Sequence, residues 1–355
     1  MVHMLVEERY TNNNRLSVIL NGVSSVLKKK HTAIKLHRRI ETIPSGTPVV
    51  MVVYVSMKWV TQTIEELHAK NIHPLLFGFY DVDALYEYSG ITFSYAKTMY
   101  TLTKYVLSQN KGKTAFLGYN DDSSPDKQKK TGVEAAVKEF GEELVIFKNH
   151  GNVNTCIEDF IKGSEGVKNI ICGNDGIAVV LRLLYPEWIK DKKMCSCSGL
   201  KLSENVENPY PTTFVNYYNA GKRLAELYLF LAKNEVVTPT VVSLPMEICV
   251  GKEILNVTDS LKPTPDCKGR IIDYYNDESI QEVENLDCMV LNCDEMDIKI
   301  LKGLMDGQSY EQVAENNYFS VNTVKYRVNL MLKNSRMYKN KKELLIALKK
   351  YKLHF

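Results

Sequence analysis

The sequence predicts an α/β protein of two lobes, each a doubly wound parallel sheet, followed by a small all-α unit. Three observations predict it. Short apolar runs alternate with amphipathic helical patterns from residue 2 to about residue 254. The chain has 355 residues, 45% of them hydrophobic, which is too long for one ordinary core, and its strands are too many for one small sheet. Beyond residue 255 the strand pattern stops, and the charge turns first acidic and then basic.

The elements follow in order. "VHMLVE" (2–7) reads as a strand, and "RLSVILNGVSSVLKKK" (15–30) carries the helical stripe Leu16, Ile19, Leu20, Val23 and Leu27. "TAIKLH" (32–37) is a strand followed by a short helix. "PVVMVVYVS" (48–56) is a continuous β-branched run, which marks a strand buried on both faces. "VTQTIEELHAKN" is a helix and "IHPLLFGF" (72–79) a strand; "SYAKTMYTLTKYVLSQN" (94–110) is a helix and "KTAFLGY" (113–119) a strand. "KQKKTGVEAAVKEFG" (127–141), "LVIFKN", "VNTCIEDFIKG", "VKNIICGND" (167–175) and "KKMCSCSGL" continue the alternation. Right-handed crossovers then put ligand loops at the carboxyl ends of the strands.

Composition excludes several classes. A charged fraction of 25% argues against a disordered chain, and the net charge of +3 does not point to a partner. No apolar run approaches bilayer length, and the first residues lack the pattern of a signal peptide, so a cytoplasmic protein without membrane contact is expected. The eight Cys contain no CxxC, and Cys195 and Cys197 read as a reduced pair on one face of a strand. The seven His form no HExxH, so no metal site is expected. The chain has no GxGxxG after a strand, no P-loop and no GxSxG; neither a cofactor, catalytic residues nor enzymatic activity is expected.

Residues 255–290 hold eight acids against three bases and read as an acidic linker. From residue 322 onward ten basic residues face one acid, Glu343, a local basic footprint. Within 291–355, "DEMDIKILKGLMDGQS" is a helix stopped by Gly307. Ser309 with Gln312 has the spacing of a capping box for "YEQVAENN". Ser320 can cap the next helix, whose Val321, Val324, Val328 and Met331 share one face while Asn322, Lys325, Tyr326, Asn329 and Lys333 share the other. Helix, short turn and helix with a basic polar face make a helix-turn-helix pattern.

These residues resemble the LuxR-type helix-turn-helix. The likeness rests on Leu291, Glu295, Gly307–Gln308–Ser309, Val313–Ala314 and Ser320–Val321–Asn322–Thr323–Val324–Lys325. It departs at Asn334–Ser335–Arg336, where that family usually has Lys–Leu–Gly. The resemblance implies double-stranded DNA as partner, with Lys325, Tyr326 and Asn329 toward bases and Asn322 and Thr323 in the same DNA-facing set. Arg327, Lys333, Lys339 and Lys341 are the implied phosphate contacts.

Residues 2–254 resemble the effector-binding core of lactose- and galactose-repressor-type regulators, which has the fold of type I periplasmic sugar-binding proteins. The motifs are the helix with Gly132, "NIICGNDGIAVVLRLL", "NPYPTTFVNYYNAGKRLAELYLFL" and "VVSLPMEICVGK". The resemblance implies a cleft between two lobes for a small effector. By position, Lys129 stands where the family has a sugar-binding Arg, Asn174 and Asp175 end a strand at the cleft, and Glu8, Tyr10 and Asn14 line the other wall. Lys201 stands where the family has a hydroxyl-binding Asp, which with Lys129 points to an anionic ligand or to none. Asn174 and Asp175 have an open alternative, as the cap and first-turn acid of the next helix. Lobe 1 is expected at about 1–110 and 212–236, and lobe 2 at about 111–211 and 237–254. The combined expectation is a homodimeric, DNA-binding transcriptional regulator controlled by a small ligand, a sugar or an anionic metabolite; the alternative is a ligand sensor whose helical tail binds protein.

Overall fold

Val49–Val53 is buried along its whole length, as its unbroken apolar, Val-rich run requires. In the computed structural model of the protein this run is β3, the centre of a six-stranded parallel sheet. The structure describes residues 1–8, 14–54, 56–78, 87–121, 123–200, 210–233, 238–250, 253–255, 277–335 and 337–351. The sheet order is β2 (Ile34–His37), β1 (Val2–Val6), β3, β4 (His73–Phe77), β5 (Ser89–Phe93) and β11 (Val241–Leu244). Alternate residues serve two cores. Met4, Met51 and Leu75 meet α1 (Asn14–Leu27) and α8 (Tyr217–Leu231), whereas Leu5, Val50, Val52 and Leu76 meet α2 (Met57–Ala69). α1 and α8 touch backbone to backbone: a Cβ on Gly22 would lie 2.1 Å from the Tyr218 carbonyl oxygen.

The second sheet has four parallel strands in the order β7 (Leu144–Lys148), β6 (Thr114–Tyr119), β8 (Asn169–Cys172) and β9 (Lys193–Ser196). α3 (Tyr95–Gln109) and α4 (Ser124–Phe140) cover one face; α5 (Val153–Gly163) and α6 (Asp175–Leu184) cover the other, with the short α7 (Pro186–Ile189) after them. Gly132, singled out in the sequence, lies where α4 crosses α3; a Cβ there would sit 2.1 Å from the Ala96 carbonyl oxygen. Cys195 and Cys197 are buried and free, and burial holds the Cys195 thiol well above its usual range. A small antiparallel sheet joins β10 (Thr212–Phe214), β12 (Glu247–Val250) and β13 (Glu253–Leu255).

Two of the expected lobe boundaries need correction. α3, expected in lobe 1, packs along α4 and against β8 and β9, so the first crossing falls near residue 94. The segment 237–254 was assigned wholly to lobe 2, but β11 pairs with β5 in the first sheet and only β12 and β13 lie outside it. Periodicity shows a helix or a strand without showing which sheet it joins. β5 itself, with Ser89, Gly90 and Thr92 among its five residues, carries too little apolar signal to read as a strand.

The acidic linker also needs correction. Its second part is α9 (Glu278–Leu291), which buries Ile280, Val283, Leu286, Met289 and Val290. A count of charges hid this helical stripe. Residues 256–276 lie outside the described residues. α9 packs against α6 on one side and α12 (Val321–Ser335) on the other, so one continuous core runs from the outer face of the second sheet into the C-terminal helices. The remaining helices are α10 (Glu295–Met305), α11 (Tyr310–Asn316) and α13 (Lys341–Lys350). Asp277 joins the parts. Its carboxylate accepts the N–H groups of Ser279 and Ile280 in α9 and that of Val153 at the start of α5.

Candidate functional site

Two regions bring polar residues together. The first is the C-terminal helical unit. The Asp294 side chain accepts the Met296 and Asp297 N–H groups and starts α10, with Asp297 returning the bond to complete a capping box. Gly307 adopts φ +84° after α10, a conformation that favours glycine. Ser309 and Gln312 form the expected capping box at α11. The Thr323 N–H donates to Ser320 Oγ at 3.0 Å, the expected cap of α12. α12 buries Val324, Val328 and Met331 and exposes Asn322, Lys325, Tyr326, Asn329 and Lys333, while Thr323 is half-buried beside its cap. Lys339 is exposed, and Lys341 lies half-buried over the Tyr310 ring, 4.5 Å from its centroid.

Arg327, an expected phosphate contact, is bonded within the chain. Its guanidinium donates to Asp294 Oδ2 at 2.6 Å and to Asp297 Oδ2 at 3.3 Å, and the side chain is only 24% exposed. It clamps α12 to the capped end of α10. The cap bond from the Asp297 N–H, with Arg327 in support, holds the Asp294 carboxyl below the usual carboxylate range. Burial pushes Asp297 the other way, against its bonds to Asp294 and the Arg327 charge.

The second region lies at the carboxyl ends of the strands. Strand order reverses between β1 and β3 in the first sheet and between β6 and β8 in the second, the two points where doubly wound sheets open a crevice. In the first lobe, buried Glu7 follows β1 and accepts the Ser56 N–H at 2.8 Å, while Glu8 is exposed. Asn14 begins α1, but its side chain, together with Tyr10 and Lys201, lies outside the described residues.

In the second lobe each expected ligand residue has partners within the chain. Lys129 is buried; its ammonium donates to Asp126 Oδ1 at 2.8 Å and to the Gly173 carbonyl at 2.8 Å, and lies over the Tyr95 ring. Asn174 caps α6 by accepting the Ile177 N–H at 2.9 Å. Asp175 is 1% exposed and accepts from Ser196 Oγ, from the Leu200 N–H at 2.7 Å and from Thr212 Oγ1 at 3.3 Å. It ties α6 to β9 and β10. Among the described residues no group of three or more His, Cys, Asp or Glu is placed to hold a metal ion, and no helix is long and apolar enough to cross a membrane.

No protein-family model matches the chain, and no curated protein matches it. Solved structures do. The chain is similar to the transcriptional regulator CelR in complex with cellobiose, at 13% identity over 70% of this chain and 82% of that one, with a TM-score of 0.58. It is similar to the transcription regulator CcpA of Lactococcus lactis, at 15% identity over 70% and 98%, with a TM-score of 0.57. It is also similar to a LacI family transcriptional regulator from Enterococcus faecium with bound ribose, at 13% identity over 74% and 100%, with a TM-score of 0.53. The two-lobed core has the type I periplasmic-binding-protein-like fold of LacI-family regulators. At these identities the likeness is one of fold.

Glu7 and Ser56 are joined at the strand ends of the first sheet; Asn120, Asp126, Lys129 and Gly173 form one bonded cluster at the strand ends of the second, where the Asn120 N–H donates to Asp126 Oδ2 at 3.2 Å. Sequence reasoning passed over Asp126, although a cap serine three residues before it and Lys129 three after were visible in "SSPDKQK". It also passed over Glu7, whose only signal is its place after the first strand.

Proposed function

We propose that this protein is a DNA-binding transcription regulator in which a small ligand, held between the two lobes, controls the C-terminal unit. One observation carries the reading. α12 is capped by Ser320, clamped by Arg327 and buried on one side, while Asn322, Lys325, Tyr326, Asn329 and Lys333 face outward together. A helix so fixed, following α11 across a short turn, suits the major groove, its N-terminal residues toward base edges. The LuxR-type character rests on the motif Ser309 to Lys325 and is part of this proposal.

The ligand class follows from the cleft. The structures of similar fold include one bound to cellobiose and one bound to ribose. With Asp126 neutralising Lys129, the second wall favours a neutral hydroxylated ligand over an anion. Paired half-sites on DNA would make the active form a homodimer acting in the cytoplasm. The deciding experiment is fluorescence anisotropy with a random-sequence duplex pool at several salt concentrations. Binding that weakens steeply and linearly in log salt is expected; absence of binding at low salt rejects the reading. Calorimetry with a panel of neutral sugars and sugar phosphates tests the ligand class, and binding of the phosphates alone would reverse it.

A further inference from the structure

The turn between α11 and α12 contains a residue placed against its own stability. Tyr318 has φ 57°, in the left-handed region, and is 98% exposed. Its N–H donates to the Glu315 carbonyl at 3.4 Å, and the next N–H, of Phe319, reaches back to Ala314 at 2.8 Å. This is the helix-ending turn in which glycine is the favoured residue at the left-handed position, because a Cβ there crowds the backbone. A bulky residue with positive φ is an outlier, and such outliers are kept where something outside the fold uses them. The side chain cannot be kept for packing, since almost all of it is in water. The neighbouring Phe319 supplies the packing of the turn, against the core shared with α12.

The position of this turn indicates the user. Tyr318 stands two residues before Ser320, the cap of α12, and the first outward residues after it are Asn322, Lys325 and Tyr326. At the start of α11, a backbone hydrogen bond and the Ser309 hydroxyl hold the Glu311 carboxyl below its usual range, and the charges of Lys325 and Lys341 add to this, so two cations stand near this end of α11. When the N-terminal end of such a helix enters a groove, the preceding turn runs beside the phosphate backbone.

We infer that Tyr318 is a DNA-contact residue, its phenol hydroxyl donating to a backbone phosphate beside the groove that α12 enters. The inference rests on the proposed function and adds a contact outside α12. A neutral hydroxyl releases no counterion, so this contact adds affinity without adding salt dependence, unlike a lysine.

The test uses the full chain and a duplex that the wild-type protein selects from a random-sequence pool. Tyr318→Gly should raise the melting temperature by roughly 2 °C or more, since glycine relieves the left-handed position. The same variant should bind the selected duplex about tenfold more weakly, with an unchanged salt slope. Tyr318→Phe should lose a similar factor in affinity with no gain in melting temperature. Wild-type affinity in either variant overturns the inference while leaving the functional reading intact. If both variants bind DNA normally but fail to activate transcription in a reconstituted assay, the tyrosine serves a protein partner and the inference is wrong. If the wild-type chain selects no duplex, the functional reading falls and takes this inference with it.

Discussion

The outer face of α12 and the strand-end cluster of the second lobe use the same kinds of residue in opposite ways. On α12, Asn322, Lys325, Tyr326, Asn329 and Lys333 are exposed, and the helix is held by other residues: Ser320 at its cap and Arg327 on its flank. In the second lobe Lys129, Asn174 and Asp175 are themselves the holding residues, with bonds to Asp126, Gly173, Ile177, Ser196, Leu200 and Thr212. The difference teaches that a polar residue at a family's ligand position is available for a ligand only if its bonds are not already made inside the chain. Burying such a group without partners is costly, so a fold that buries it supplies them.

The comparison breaks or sharpens under substitution. The largest effect is expected at Asp175. Asp175→Ala leaves the buried Leu200 N–H without its acceptor and the Ser196 and Thr212 hydroxyls with only each other, and should cost on the order of 3 kcal/mol, read by urea denaturation. A variant that keeps full stability but loses ligand binding would move Asp175 from the holding class to the contacting class. The double substitution Lys325→Ala with Asn329→Ala is the reverse case. Sequence-selective DNA binding should vanish and the salt slope fall by about 1, while the melting temperature stays put. Selectivity that survives the pair takes α12 out of the groove.

Arg327 tests the boundary between the two classes, because it lies on α12 yet bonds inward. Arg327→Ala should destabilise the C-terminal unit by about 1–2 kcal/mol and weaken DNA binding through loss of position. Unchanged stability with reduced affinity would restore its role as a phosphate contact.

The smallest expected effect is a pH dependence of the first lobe. Burial lowers the pKa of His3 and His37, which share a 2.8 Å hydrogen bond, and lowers His73 to about 4. The folded state therefore prefers these rings neutral. Above the unfolded value of 6.5 both states are neutral and stability is intact. As pH falls from there toward about 4 the unfolded chain takes up protons that the folded chain refuses, and stability is lost. Thermal melts from pH 7.5 to pH 5 should show a fall of a few degrees, on the scale of about 1 kcal/mol, and His73→Gln should flatten the slope.

The residues of the C-terminal unit divide by the reach of the signal that names them. Ser309 with Gln312, Ser320 and Gly307 were legible, because a cap is a contact across three or four residues. The apolar stripe of α9 is as local but was masked by the acidic count of 255–290, because a charge count ignores the spacing of the apolar residues between the acids. The helices and strands of both lobes were mostly legible; their membership in a lobe was not, as α3 and β11 show.

The sequence by itself determined the caps of α11 and α12, the apolar faces of the helices it revealed, the alternation of strand and helix in the core, and the basic end of the chain. These follow from spacings of two to four residues, which the backbone geometry imposes wherever the chain lies. Only the tertiary structure decided who pairs with whom. Arg327 meets acids 30 and 33 residues away, Lys129 meets a carbonyl 44 residues away, and Asp175 meets Thr212 across 37. A charge in a sequence carries no record of such a partner, because the energy that pairs them depends on distance in space and on the water excluded between them.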